Sequence, residues 1–213
     1  MTESVTPEPK FRRRADARPD EVLDAAIELF AEQGFGKTTV EQVAKRAGLS
    51  KGAVYLYFPS KDAILEGLVK RTFEPIADQM FEMMAAYRGD PRPIIGHFLR
   101  AMGGILGKDH VSAVPVIILR EAAAVPSIAV HFREAVLDRA LPAMTALLKQ
   151  GVEGGYIRAI DPELTARTVM GPVIVHLLLS EVFAVRPKGG LNPEALIDNH
   201  LSILFAGLEP PKE

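Results

Sequence analysis

The chain has no cysteine and no tryptophan, and aromatic residues make up only 7% of its 213 positions. Without thiols it holds no disulfide scaffold, thiolate zinc site, iron–sulfur cluster or thiol redox switch. No two histidines stand at metal-ligand spacing, so neither a metal nor a cofactor is expected. Long apolar runs are missing. The cleanest, Val114–Leu119 and Leu177–Leu179, fall far short of the ~20 residues that cross a bilayer. Met1 to Pro9 is acidic and Pro-bearing, without the apolar stretch of a secretory signal. A cytoplasmic protein with no membrane partner is expected. There is no Gly-rich phosphate loop, no G-x-S-x-G elbow and no metal-hydrolase motif, so an enzyme is not expected. What is present, 48% hydrophobic and 24% charged residues, is globular composition.

Net charge is −2, which does not suggest nucleic acid, but its distribution does. Lys10 to Arg18 holds five bases against Asp16. Pro19 to Gly36 holds five acids and no base. Lys37 to Lys61 returns to five bases against Glu41 alone. Local positive potential is what meets a phosphate backbone. The competing reading is a set of solvated faces.

Apolar residues recur at helical spacing nearly throughout, and no segment alternates at period two. Pro19–Gln33 carries Val22, Leu23, Ala26, Ile27, Leu29 and Phe30 as one wide stripe, closed by Gly34 and Phe35. Thr39 with Gln42 forms a capping box that opens a short helix to Ala47. Ser50 caps a third over Lys51–Phe58. Ser60 caps a fourth from Lys61 towards Met84, with a kink expected at Pro75. Beyond Gly89-Asp90-Pro91 charges thin out. Helices are expected over Pro93–Leu106, Ala113–Ala124, Pro126–Val152, Pro162–Val185 and Pro193–Ala206, between Gly and Pro breaks. The expected architecture is all-α with about nine helices. It divides into a flexible basic arm over 1–18, a three-helix unit over 19–65 and a larger apolar helical unit over 66–213.

Val40 to Phe58 has helix-turn-helix spacing. Ala44 is small where two helices cross, Gly48 supplies the positive φ of the turn four residues on, and Val54 returns the second helix to the core. Such a pair offers the amino end of its second helix to a major groove. Small residues, Ser50, Gly52 and Ala53, open that helix around Lys51, a donor for a guanine edge or a phosphate. Tyr55 and Tyr57 offer hydroxyls to phosphates. Thr38, Thr39 and Lys61 stand at helix starts, where an anion is favoured. Each also has a plain structural role open to it, as a cap, a packed ring or a solvated amine.

The run Leu29-Phe30-Ala31-Glu32-Gln33-Gly34-Phe35, then Thr38-Thr39-Val40, Val43-Ala44, Ala47-Gly48-Leu49-Ser50-Lys51-Gly52, Tyr55, Tyr57-Phe58 and Ser60-Lys61-Asp62, resembles the tetracycline-repressor-like (TetR/AcrR) family over about 45 residues. The remainder resembles it only in helix number and length. The resemblance implies phosphate contacts at Thr39, Tyr55, Tyr57 and Lys61, and base contacts at Val40, Glu41, Lys51, Gly52, Ala53 and Leu56. It further implies a homodimer on palindromic operator double-stranded DNA, most simply a repressor released by a small, largely apolar effector. Tyr57 stands where many relatives have histidine.

For the apolar half the resemblance implies an effector pocket and a dimer face. Candidate pocket residues are Phe73, Met80, Phe81, Met84, Phe98 and Met102, with His97, Arg120, Glu121 and His176 as polar groups among them; plain core is the alternative for each. Candidate dimer residues are Val173, Leu177 and Leu178 with Leu201, Leu204 and Phe205, which intramolecular packing would equally use. The rival functions are a helical scaffold without DNA affinity and, further off, a small-molecule enzyme. Salt-dependent duplex binding separates the first from a regulator.

Overall fold

The computed structural model describes residues 10–106, 113–123, 125–190 and 192–210. Among these the chain is entirely helical, with ten α-helices. It divides into two compact units, Met1–Leu68 and Val69–Glu213.

The smaller unit opens with α1, Lys10–Gln33. Sequence periodicity starts this helix at Pro19, with 1–18 as a flexible arm; the structure continues the helix back to Lys10, with Pro19 inside. Lys10 to Arg18 is rich in Lys, Arg and Ala, good helix formers, and a proline removes only one main-chain bond. The first part of that arm, residues 1–9, lies outside the described residues. Val22, Ala26 and Phe30 are buried on the inner face of α1. Gly34 takes φ 86° and Phe35 folds back, its ring edge-on to Phe30 at 5.1 Å. Helix α2, Val40–Arg46, begins with the complete Thr39–Gln42 capping box. Gly48 at φ 68° turns the chain, and Ser50 caps α3, Lys51–Tyr55, through its Oγ. This helix stops three residues earlier than expected, with the amides of Tyr57 and Phe58 both returning to Val54 O in a terminal turn.

Helix α4, Lys61–Ala86, begins in the smaller unit and runs unbroken through Pro75 into the larger. The larger unit continues with α5 (Arg92–Leu106), α6 (Ala113–Glu121), α7 (Pro126–Phe132), α8 (Asp138–Glu153), α9 (Pro162–Leu177) and α10 (Pro193–Leu208). Its core lies where α5 meets α10 and α8 meets α9, around Ile95, Leu99, Leu147, Leu148, Val169 and Ile197. Two helices expected to be regular carry π-helical turns, Arg133–Leu137 between α7 and α8 and Leu178–Val182 after α9. Pro142 cannot donate to the carbonyl of Asp138, where the first π turn ends, and this favours a local change of winding. Gly171 precedes Pro172 within α9. Lacking a Cβ, it escapes part of the clash that makes pre-proline residues avoid helix.

Candidate nucleic-acid interface and effector cavity

In the smaller unit, burial of Val43, Ala44 and Val54 packs α2 against α1 and α3 and turns the amino end of α3 outward. Ser50, Lys51 and Gly52 are exposed, Ala53 is half-buried, and Tyr55 is exposed. Leu56 is 82% exposed, more than any other large apolar side chain among the described residues. Tyr57 is half-buried and already makes an interaction within the chain.

Two expectations need correction in placement. Thr38 is buried; its hydroxyl donates to Gly34 O at 2.8 Å and accepts from Gln33 Nε2 at 3.1 Å. It closes the turn after α1. Lys61 Nζ donates to Phe35 O at 2.7 Å and to Gly36 O at 3.3 Å, and lies 4.3 Å from the Phe35 ring centre. Its amine therefore anchors the α1–α2 loop. Thr39 stays exposed, with its hydroxyl given to the cap.

Two charged contacts were not anticipated. Arg46 of α2 reaches both Glu28 and Glu32 of α1. The guanidinium holds the Glu32 carboxyl below its usual range, first through the hydrogen bonds between them. Lys51 Nζ lies 3.9 Å from Glu41 Oε2, so an α2 carboxylate sits at the amino end of α3.

The larger unit contains a cavity of about 300 Å³. Phe73, Met80 and Phe81 of α4 and Phe98 and Met102 of α5 line it. Met84 is buried in the core beyond the cavity. None of the four polar candidates lines it. His97 is exposed, because it falls on the outer face of α5. Arg120 is exposed and donates to the Glu181 carbonyl. Glu121 is half-buried outside the cavity. His176 is half-buried, with a buried Nε2 that has no hydrogen-bond partner. Among the described residues, the one charged residue at the cavity is Arg167, for which the sequence carries no signal; its Nη1 is 3.0 Å from Glu163 Oε1. Near the first π turn, Phe132, Val136 and Leu137 complete the apolar wall.

Of the expected dimer residues, Val173, Leu177, Leu201 and Leu204 are buried within the single chain, and Leu178 and Phe205 are half-buried. Val173 and Leu177 line the cavity, Leu201 and Leu204 are core, and Phe205 packs against that core. Helix α9 is apolar on several faces, so periodicity did not say which turns inward. The exposed apolar stripe on α9 and its π turn is Leu164, Val175, Leu179 and Val182, with Ile203 exposed on α10. His200, also unanticipated, is buried and donates from Nε2 to Val169 O at 3.0 Å, tying α10 to α9.

A helix-turn-helix with an exposed reading end, followed by a helical unit with an apolar cavity, defines a ligand-responsive DNA-binding regulator. Residues 22–68 match the bacterial regulatory proteins of the tetR family, and residues 96–197 match the AefR-like transcriptional repressor C-terminal domain. The fatty acid metabolism regulator protein of Bacillus subtilis is 25% identical over 158 residues, covering 72% of this chain and 78% of that one. The crystal structure of FadR from Bacillus subtilis in complex with stearoyl-CoA aligns with TM-score 0.74 at 24% identity, over 89% of this chain and 99% of that one. SmeT, the repressor of the Stenotrophomonas maltophilia multidrug efflux pump SmeDEF, aligns with TM-score 0.75 at 23% identity, over 92% of each chain. The chain belongs to the TetR family of transcriptional regulators, and it is a ligand-responsive DNA-binding regulator of the repressor type.

Proposed function

We propose that this regulator binds a palindromic operator as a cytoplasmic homodimer, and that an apolar effector in its cavity releases it. The observation carrying this reading is the outward amino end of α3, where Lys51, Gly52, Tyr55 and Leu56 are exposed together. Ser50, Ala53 and Thr39 complete the contact face, and Tyr57 and Lys61 support it. The partner copy covers the stripe of Leu164, Val175 and Leu179 with Ile203. Nothing in this scheme requires catalysis.

The effector is chain-like and mainly apolar. A cavity of about 300 Å³ with an almost wholly apolar lining suits such a molecule. The stearoyl-CoA complex of a relative supports an acyl chain, and the efflux-pump repressor supports a broader apolar class. Residues from α4, the helix that begins next to α3, line the cavity. An occupant preferring the conformation that mismatches DNA would couple the two sites by about 1–3 kcal/mol. Selection of genomic fragments bound by the protein, with and without saturated acyl compounds of graded length, tests this. Enriched inverted repeats that are lost at one chain length are expected. Full retention at every length overturns the effector reading, and no enrichment overturns the operator reading.

A further inference from the structure

Glu41 and Lys51 form an exposed ion pair at the amino end of α3, with 3.9 Å between Nζ and Oε2. A surface pair at this separation contributes little to stability. A carboxylate also opposes a phosphate backbone, so a purely electrostatic binding face is better without one. What the pair does present is an acceptor beside a donor. In the major groove, cytosine offers the N4 amino donor and its guanine partner offers the O6 and N7 acceptors. Carboxylates accept from cytosine N4, and lysine donates to the guanine edge. Beside the pair on α3, Gly52 and Ala53 are small and Leu56 is apolar, while the exposed Ser50 and Tyr55 offer only hydroxyls.

We propose that the Glu41–Lys51 pair reads one C·G base pair in each operator half-site, Glu41 taking cytosine N4 and Lys51 the guanine edge. This rests on the reading above that the amino end of α3 faces DNA. Its polarity matters: exchanging the two charges should exchange the two bases.

The test is selection from a randomised duplex library by the wild-type protein, by Glu41→Gln, and by the double variant Glu41→Lys with Lys51→Glu. Both side chains are exposed, so the fold should survive; the circular dichroism melt checks this. The wild type should select one fixed C·G position per half-site. Glu41→Gln should lose about tenfold preference for that position, the scale of one mismatched pair. The double variant should select G·C there and leave the remaining positions unchanged. No fixed C·G position in the wild-type set, an unchanged preference in Glu41→Gln, or a double variant that does not reverse the pair overturns the proposal. Steep salt-dependent binding to unselected duplex, measured alongside, shows whether the DNA-facing reading itself has failed.

Discussion

Arg46 grips Glu32 with both ends of its guanidinium, Nη1 at 3.1 Å from Oε1 and Nη2 at 2.9 Å from Oε2, while Nη1 also reaches Glu28 at 2.9 Å. Two residues of the acidic run on α1 thus fasten α2 from outside.

The pair predicts a pH dependence with a definite sign. The Glu32 carboxyl sits lower in the folded protein than in the unfolded chain, because Arg46 hydrogen-bonds its charged form. Its contribution is therefore present above the usual glutamate range and is lost as pH falls through the depressed folded value. Arg46→Gln should lower the melting midpoint modestly at neutral pH and low salt. That deficit should shrink in acid and at high salt, since both groups are exposed. A deficit independent of both conditions would mean Arg46 acts through packing.

Filling the cavity should separate stability from ligand response. Ala140 is 8% exposed and lines it. Ala140→Leu adds three carbons, at about 0.8 kcal/mol per buried methylene. Thermal stability should hold or rise by about 1–2 kcal/mol, with effector affinity down at least tenfold. Calorimetry and isothermal titration read the two. An intact fold with unchanged affinity would mean the space is not the effector site.

One stability prediction is steric. A Cβ on Gly103 of α5 would come within 2.2 Å of Ile197 Cδ1 on α10. Gly103→Ala should cost about 1–3 kcal/mol by overpacking. Adding Ile197→Val removes the offending methyl, so the double variant should be more stable than the two single effects added together. Additive losses, measured by denaturant unfolding, would show that Ile197 simply swings aside.

The smaller unit was legible almost residue by residue because its signals are local. Thr39, Gly48 and Ser50 each dictate their own backbone geometry, and each is where its chemistry requires. Thr38 misled, since a hydroxyl at a helix start reads the same whether it caps, contacts a phosphate or closes the preceding turn. In the larger unit the apolar lining from Phe73 to Met102 was visible as adaptable side chains. Its polar neighbours were not, because a histidine such as His97 gives no sign of which helix face it occupies. Val173 and Leu177 show the same limit from the other side. On a helix apolar nearly all round, cavity wall and subunit contact share one pattern, and only tertiary packing separates them. The π turns escaped because one extra residue per turn barely disturbs a periodic pattern.

The most direct test of the DNA-reading role of α3 is a salt titration of affinity for the selected operator, comparing wild type with Lys51→Ala and Tyr55→Phe. The wild type should weaken by about a thousandfold between 50 and 200 mM salt. Each variant should bind about tenfold more weakly at fixed salt, with the melting midpoint unchanged. Wild-type affinity in both variants would remove α3 from the interface.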